Sequence, residues 1–406
     1  MKDRRTVLAA WALMAAVNLA AGVVIASRPE QLDNLNSMQR WGSAWLTTGA
    51  NVYTTDRNPP DYPPHAVVAL SPLGALSSEM AAPMWAGLNI LLAILATFLV
   101  TRAARPNITL REAALPMAMF LCWGGFRTLL QFSLLTVVFG LLAMVLADKR
   151  PKWSGVCLGL ALMSPQMAAP FVVWALLTRR LRLVGTAASV VAAGFAAYCL
   201  RAGVSPVAVG LPYVNILREL NTGAEPLSGL AEVRPLIARI VTNFSMVDAL
   251  VGAVSVLMLA AICCVARSES TQRTAWCSAP ALVGVWSLLT FYHMTSGFVV
   301  LLPAAAFLLF AEGALTPVRT TLFWIMQLGL MIDVPGVWRR VRVLVPQVDT
   351  LDDFAFNFDR VLMFVMLCGL MALASALARS RAWEAYSSPS ALEPVRMRMP
   401  NRAVRA

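Results

Sequence analysis

Charge is what this chain has least of. Only 13% of its 406 residues are Asp, Glu, Lys or Arg, against 59% apolar. A water-soluble domain clothes itself in charge, so a mean hydropathy of +0.68 on such a composition excludes an ordinary soluble enzyme. Histidine occurs twice and cysteine seven times. Cys122, Cys157, Cys199, Cys263, Cys264, Cys277 and Cys368 all fall within or at the ends of apolar segments, outside the long polar loops. That pattern excludes a disulfide framework and a zinc site, leaving the thiols as small core hydrophobes. Carboxylates are few and scattered, with no tight pair, so neither a divalent metal nor any other cofactor is expected. An internal repeat is also missing, which counts against a two-halved transporter.

What the chain does have is apolar runs of about 20 residues, the length that crosses a bilayer. Its net charge of +12 would point to nucleic acid in a soluble protein. Here the basic residues fall in short clusters between apolar runs, which marks cytoplasmic loops and anionic headgroups instead. The clusters are Lys2/Arg4/Arg5, Arg102/Arg105/Arg111, Lys149/Arg150/Lys152, Arg179/Arg180/Arg182, Arg267/Arg273 and the tail from Arg379. Spans are then expected over 7–27, 82–101, 113–123, 128–147, 153–164, 166–178, 184–201, 246–265, 275–291, 295–311, 318–335 and 358–378. The first reads as an uncleaved signal anchor. Several are short, and Ser164-Pro165 breaks one pair of helices, since proline removes a donor and turns the preceding residue from the helical region. The fold predicted is an all-α polytopic membrane protein of about ten to twelve transmembrane or partly inserted helices. It forms one integral domain over 1–378, with a basic, disordered cytoplasmic tail over 379–406.

On this map nearly every unusual polar residue lands on the outer face. The first outer segment, 28–64, carries Asp33, Asp56 and Asp61. Leu35, Met38, Trp41 and Trp45 recur at helical spacing over 34–48, which predicts an amphipathic helix on the membrane interface, ended by Gly49. Two Pro-Pro pairs follow, and 66–77 is short enough to dip partway into the bilayer. Asp33 stands just before the helix, a good position for an N-cap. Asp56 and Asp61 sit in turn-forming sequence.

The order Asp33, helix, Gly49-x-Asn51-x-Tyr53, Tyr62-Pro63-Pro64 and Ser71-Pro72-Leu73 resembles glycosyltransferase family 87. The resemblance continues through Gln131 in its apolar span, through GVCLGLALMSPQ ending at Gln166, and through Asn243-Phe244-Ser245 and Tyr292-His293. It covers about residues 1 to 310. Ser164 stands where the family has Lys, and Leu130 where it has Gly. The family implies a GT-C fold and a multi-pass plasma-membrane enzyme with an extracytoplasmic active site. It implies inverting transfer of a hexosyl unit, typically mannosyl, from a polyprenyl-phosphate sugar to a lipid or glycan acceptor.

In that reading Asp33 is the base and His293 assists at the phosphate, with an N-cap and an interfacial aromatic-belt residue as their structural alternatives. Tyr53, Tyr62, His65, Arg127, Gln131, Gln166, Arg218 and Tyr292 are the donor- and substrate-binding candidates. The partners implied are the lipid-linked donor, the glycan acceptor and the membrane. A transporter or flippase of a lipid-linked sugar is the rival from another class.

Overall fold

The computed structural model describes residues 2–28, 32–105, 107–222, 233–238, 241, 243–269, 278–290, 295–310 and 316–332. Among them there is no strand. The order is α1 (Lys2–Ala26), α2 (Asp33–Ser43), α3 (Val52–Thr55), α4 (Pro64–Leu70), α5 (Ser78–Ala104), α6 (Leu110–Leu121), α7 (Ser133–Leu146) and α8 (Pro151–Ala161). Then come α9 (Pro165–Leu177), α10 (Leu181–Ala202), α11 (Pro206–Thr222), α12 (Arg234–Ala238), α13 (Phe244–Glu269), α14 (Ser278–Thr290), α15 (Leu302–Phe310) and α16 (Thr316–Ile332). Short 3-10 stretches occupy Ser71–Ala75, Gly124–Arg127 and Thr295–Leu301. Four of the described helices are long and apolar enough to cross a membrane, running Arg4–Ala26, Ser78–Ala104, Leu181–Ala202 and Ser245–Cys264. The chain is an all-α polytopic membrane protein.

The helix ends follow local chemistry. Thr109 caps α6 in a reciprocal box with Glu112. Pro151 and Pro165 open α8 and α9 at the first helical position, where a missing N–H costs nothing. Gly203, with φ of 65°, stops α10. The expected short segments are indeed short, with α8 and α9 parted at Leu162–Ser164. The span expected from 128 begins only at Ser133, and the expected outer loop 202–239 contains α11. The expected last span, 358–378, and the tail lie outside the described residues.

Inside a bilayer, helices associate through close packing rather than through escape from water. Small residues supply that closeness here. Gly155 and Gly159, one turn apart on α8, face Thr186 and Val190 of α10, where a Cβ would come within 2.4 and 2.6 Å of side-chain atoms. Gly140 of α7 takes the ring of Phe171 of α9 in the same way. Buried amides add specific ties. Gln327 of α16 accepts from the Trp123 indole N–H (2.8 Å) and donates to the Met119 carbonyl (2.6 Å).

The helices have two polar ends. The loops carrying Lys149 and Arg179 meet at one, where Arg180 pairs with Asp148 at 2.7 Å. The other gathers α2, α3, the C-terminal end of α10 and α11.

Candidate functional site

The polar end is organised by α2. Leu35, Met38, Trp41 and Trp45 form the expected stripe, but they are buried against Val52, Tyr53, Ala66 and Val67. The amphipathic helix thus turns its apolar side into the protein rather than onto lipid. Its last turn, Ala44–Thr48, widens to a π turn and ends at Gly49, with φ of 70°. Arg201, from the end of α10, donates to the carbonyls of Leu46 and Thr47 at 2.8 and 3.1 Å. A cation there satisfies orphan acceptors and opposes the helix dipole. Backbone crosses backbone where α2 meets the Ser71–Ala75 turn. A Cβ on Gly74 would lie 2.3 Å from the Ser43 nitrogen, and one on Gly42 3.0 Å from the Ser71 Cα.

Aromatic side chains line the same end. Trp45 stacks on Tyr198 with centroids 5.9 Å apart. The Tyr198 hydroxyl accepts from the Val52 N–H (3.0 Å) and donates to the Asn51 side-chain oxygen (3.3 Å). Tyr53 meets Tyr198 and Tyr213 edge-on at 5.5 and 5.8 Å. Its hydroxyl donates to the Tyr62 carbonyl at 2.6 Å, and Tyr62 in turn meets Phe132 at 5.7 Å. All four tyrosines among the described residues therefore belong to one connected wall.

Asp61 stands beside this wall. Solvent reaches it, yet protein crowds it, and that loss of surrounding water raises its carboxyl above the usual carboxylate range. Burial raises the Tyr53 and Tyr213 hydroxyls too, and the Asp61 charge adds to both. Tyr53 and Tyr198 are packed inside, so the rings open to a sugar are the half-buried Tyr62 and Tyr213, beside a carboxylate able to accept from its hydroxyls.

The other outer acids are disposed differently. Asp56 is engaged by Arg40 through two contacts of 3.0 and 3.3 Å and accepts the Asn58 N–H at 2.8 Å, so it is a turn residue as expected. Asp33 is exposed in the first turn of α2, and its carboxylate has no partner among the described residues. It is not the N-cap; that position is Leu32, with no side-chain capping bond. Twelve residues of helical rise separate Asp33 from Trp45, about 18 Å, so it stands apart from the Trp45 end of the tyrosine wall.

The remaining candidates divide. Tyr53 and Tyr62 are joined in the wall. Gln131 lies in the turn before α7, next to Phe132, and Gln166 in the first turn of α9. Both are half-buried with no partner for the side-chain amide among the described residues. Arg218 is exposed on α11, whose Ala208 carbonyl accepts from the Asn51 amide at 3.3 Å. Arg127 is half-buried and bonded to Asn18 of α1 and the Met331 carbonyl. His65 is buried on α4 with its Cβ against Gly194 of α10, and neither ring nitrogen has a partner. Burial lowers its pKa to about 4, outweighing the nearby Gly159 and Leu162 carbonyls, which favour a proton. Tyr292 and His293 lie outside the described residues.

Tyr198, Tyr213 and Trp45 escaped the sequence reading as site residues, while Arg201 was one of its outer cations for the phosphate. Tyr198 was hidden inside an apolar span and Tyr213 inside an expected loop. The sole advance signal was Asn51, which the resemblance had already picked out.

The family model described as Glycosyltransferase family 87 matches residues 61–291, more than half of the chain. The chain belongs to glycosyltransferase family 87. It is a membrane glycosyltransferase. The match opens at Asp61 and takes in Tyr62, His65, Arg127, Gln131, Gln166 and Arg218, as well as Tyr198 and Tyr213 of the wall. Asp33 and Tyr53 precede it, and Tyr292 and His293 follow it. No curated protein and no solved structure matches the chain.

Proposed function

We propose that this family 87 enzyme moves a hexosyl unit, mannosyl in the simplest case, from a polyprenyl-phosphate carrier to a lipid or glycan acceptor outside the cytoplasm. The observation that carries the reading is the cluster of Asp61 and tyrosines at the end of the bundle away from Arg4, Arg111 and Arg180. Positive clusters favour the cytoplasmic side, which supports an outer position for the Asp61 and tyrosine cluster. The reaction is one inverting displacement. Asp33 takes the proton of the acceptor hydroxyl, whose oxygen bonds to the anomeric carbon as the carbon–oxygen bond to phosphate breaks. The electron pair leaves with the polyprenyl phosphate, which is already charged and needs little acid help. Arg218 and His293 hold that phosphate, while Tyr53, Tyr62, Gln131 and Gln166 orient the sugar. No metal or other cofactor is required.

A second assignment of the base has its own support. Asp61 is the carboxylate crowded against the aromatic wall, and a raised pKa suits a base that must hold a proton through the transition state. The flippase reading has less behind it. Among the described residues no Asp, Glu, Lys or Arg is buried, whereas a path for a charged headgroup needs polar lining through the membrane.

The test is transfer of radiolabelled sugar from polyprenyl-phosphate mannose to envelope lipids, in membranes carrying wild type, Asp33→Asn or Asp61→Asn. Wild-type transfer that falls at least about 10²-fold in Asp33→Asn alone supports the first assignment. The same fall confined to Asp61→Asn moves the base to Asp61. Absence of transfer by wild type, with lipid translocation in proteoliposomes, overturns the transferase reading for this donor.

A further inference from the structure

The opposite end of the bundle holds a second site of different character. The first turns of α1 and α6 enclose a crevice of about 640 Å³, lined by Arg4, Arg5 and Leu8 on one side and Thr109, Arg111 and Glu112 on the other. None of the three arginines is in an ion pair among the described residues. The one acid present is already engaged. One Glu112 carboxylate oxygen accepts from the Thr109 N–H at 3.0 Å and from its hydroxyl at 2.9 Å, closing the capping box. Glu112 keeps its charge and feels that of Arg4, so three cations share one carboxylate across the concave space, an excess of positive charge.

The walls of the space say which anion fits. Leu8 lines it, and Leu110 beside it is 70% exposed. From there the same flank of α1 continues into the apolar layer through Ala12, Ala16 and Val23, all exposed. A soluble phosphate has no use for this apolar track, whereas a phospholipid needs both parts, since its phosphate sits at headgroup level and its chains lie along the helix. The other arginine-lined crevice, at Arg179, Arg180 and Arg182, differs because Arg180 is already paired with Asp148.

We propose that the crevice between α1 and α6 binds the phosphate headgroup of an anionic phospholipid, with an acyl chain laid along the exposed side of α1. The site is remote from the Asp61 and tyrosine cluster and does not depend on its chemistry.

Native mass spectrometry of the detergent-purified full chain, titrated with phosphatidylglycerol, phosphatidylcholine or inorganic phosphate, reads it directly. Phosphatidylglycerol is expected to bind at least about tenfold tighter than phosphatidylcholine. Arg4→Gln/Arg111→Gln should lose roughly tenfold or more of that affinity, at about fivefold per surface arginine. Arg179→Gln/Arg182→Gln removes the same charge elsewhere and should lose less than about twofold. Equal losses in the two double variants would overturn the proposal, because net charge and not the crevice would then attract the lipid. Displacement of phosphatidylglycerol by millimolar inorganic phosphate would overturn the lipid as occupant in favour of a soluble anion. If the first double variant does not fold, Arg5→Gln gives the same comparison, and unchanged binding there counts against the site.

Discussion

Gly49 lies directly beneath the main-chain oxygen of Arg201, which stands 2.7 Å from where a Cβ would be, and the Arg201 side chain closes over the same turn at 3.1 Å. One residue thus ends the outer helix, and another, far along the chain, locks that end to α10. Gly49→Ala should destabilise the protein by at least about 3 kcal/mol, combining left-handed strain with a backbone clash. Gly203→Ala has a similar φ of 65° but open space around it, and should cost only about 1–2 kcal/mol. Thermal unfolding of the two variants in detergent makes the comparison, and equal losses would show that the Arg201 contact is unimportant.

Asp56 serves as the control among the outer acids. Its partner Arg40 is half exposed, and such pairs contribute about 0–1 kcal/mol. Asp56→Asn retains an oxygen for the Asn58 N–H and should change stability by less than about 1 kcal/mol while sugar transfer persists. Loss of transfer with an unchanged melting curve would assign Asp56 a chemical role that its bonds to Arg40 and Asn58 argue against.

His65 makes stability depend on pH. Its folded pKa, about 4, lies below the unfolded value near 6.5, so the unfolded chain binds the extra proton between them. The stabilising preference for neutral His65 is complete above about pH 6.5 and is lost as pH falls towards 4, by up to about 3 kcal/mol. Melting temperatures measured across that window should drop for wild type and flatten for His65→Leu. Parallel curves for the two proteins would remove His65 as the source.

Packing of α8 on α10 rests on Gly155 and Gly159. In Gly159→Leu, side-chain atoms must occupy space within 2.6 Å of the Val190 Cβ, and overpacking of this kind costs about 1–3 kcal/mol. Gly185→Ala on α10 meets nothing within 4 Å and should be neutral or slightly stabilising. Unfolding in detergent compares them. A Gly159→Leu variant as stable as wild type would mean the two helices part without cost.

Much of the architecture was legible from local signals. Apolar runs and arginine clusters marked the spans, Pro165 marked the break between α8 and α9, Gly49 the end of the outer helix, and Asp56 the turn. These features act through the backbone within a few residues, so the chain order alone carries them. What a stripe or a span packs against is a different matter. The Leu35–Trp45 stripe satisfies lipid and protein interior equally well, because both are apolar, and only the fold turned it inward against Tyr53 and Ala66. The same ambiguity concealed Tyr198, whose hydroxyl finds Asn51 across 147 positions of sequence. It also concealed that His65 points at α10 rather than at solvent, and that Asp61 rather than Asp33 meets the tyrosines. Contacts between distant segments depend on which helices approach closely, and that is settled by small residues such as Gly155, Gly159 and Gly194, whose partners no local pattern names.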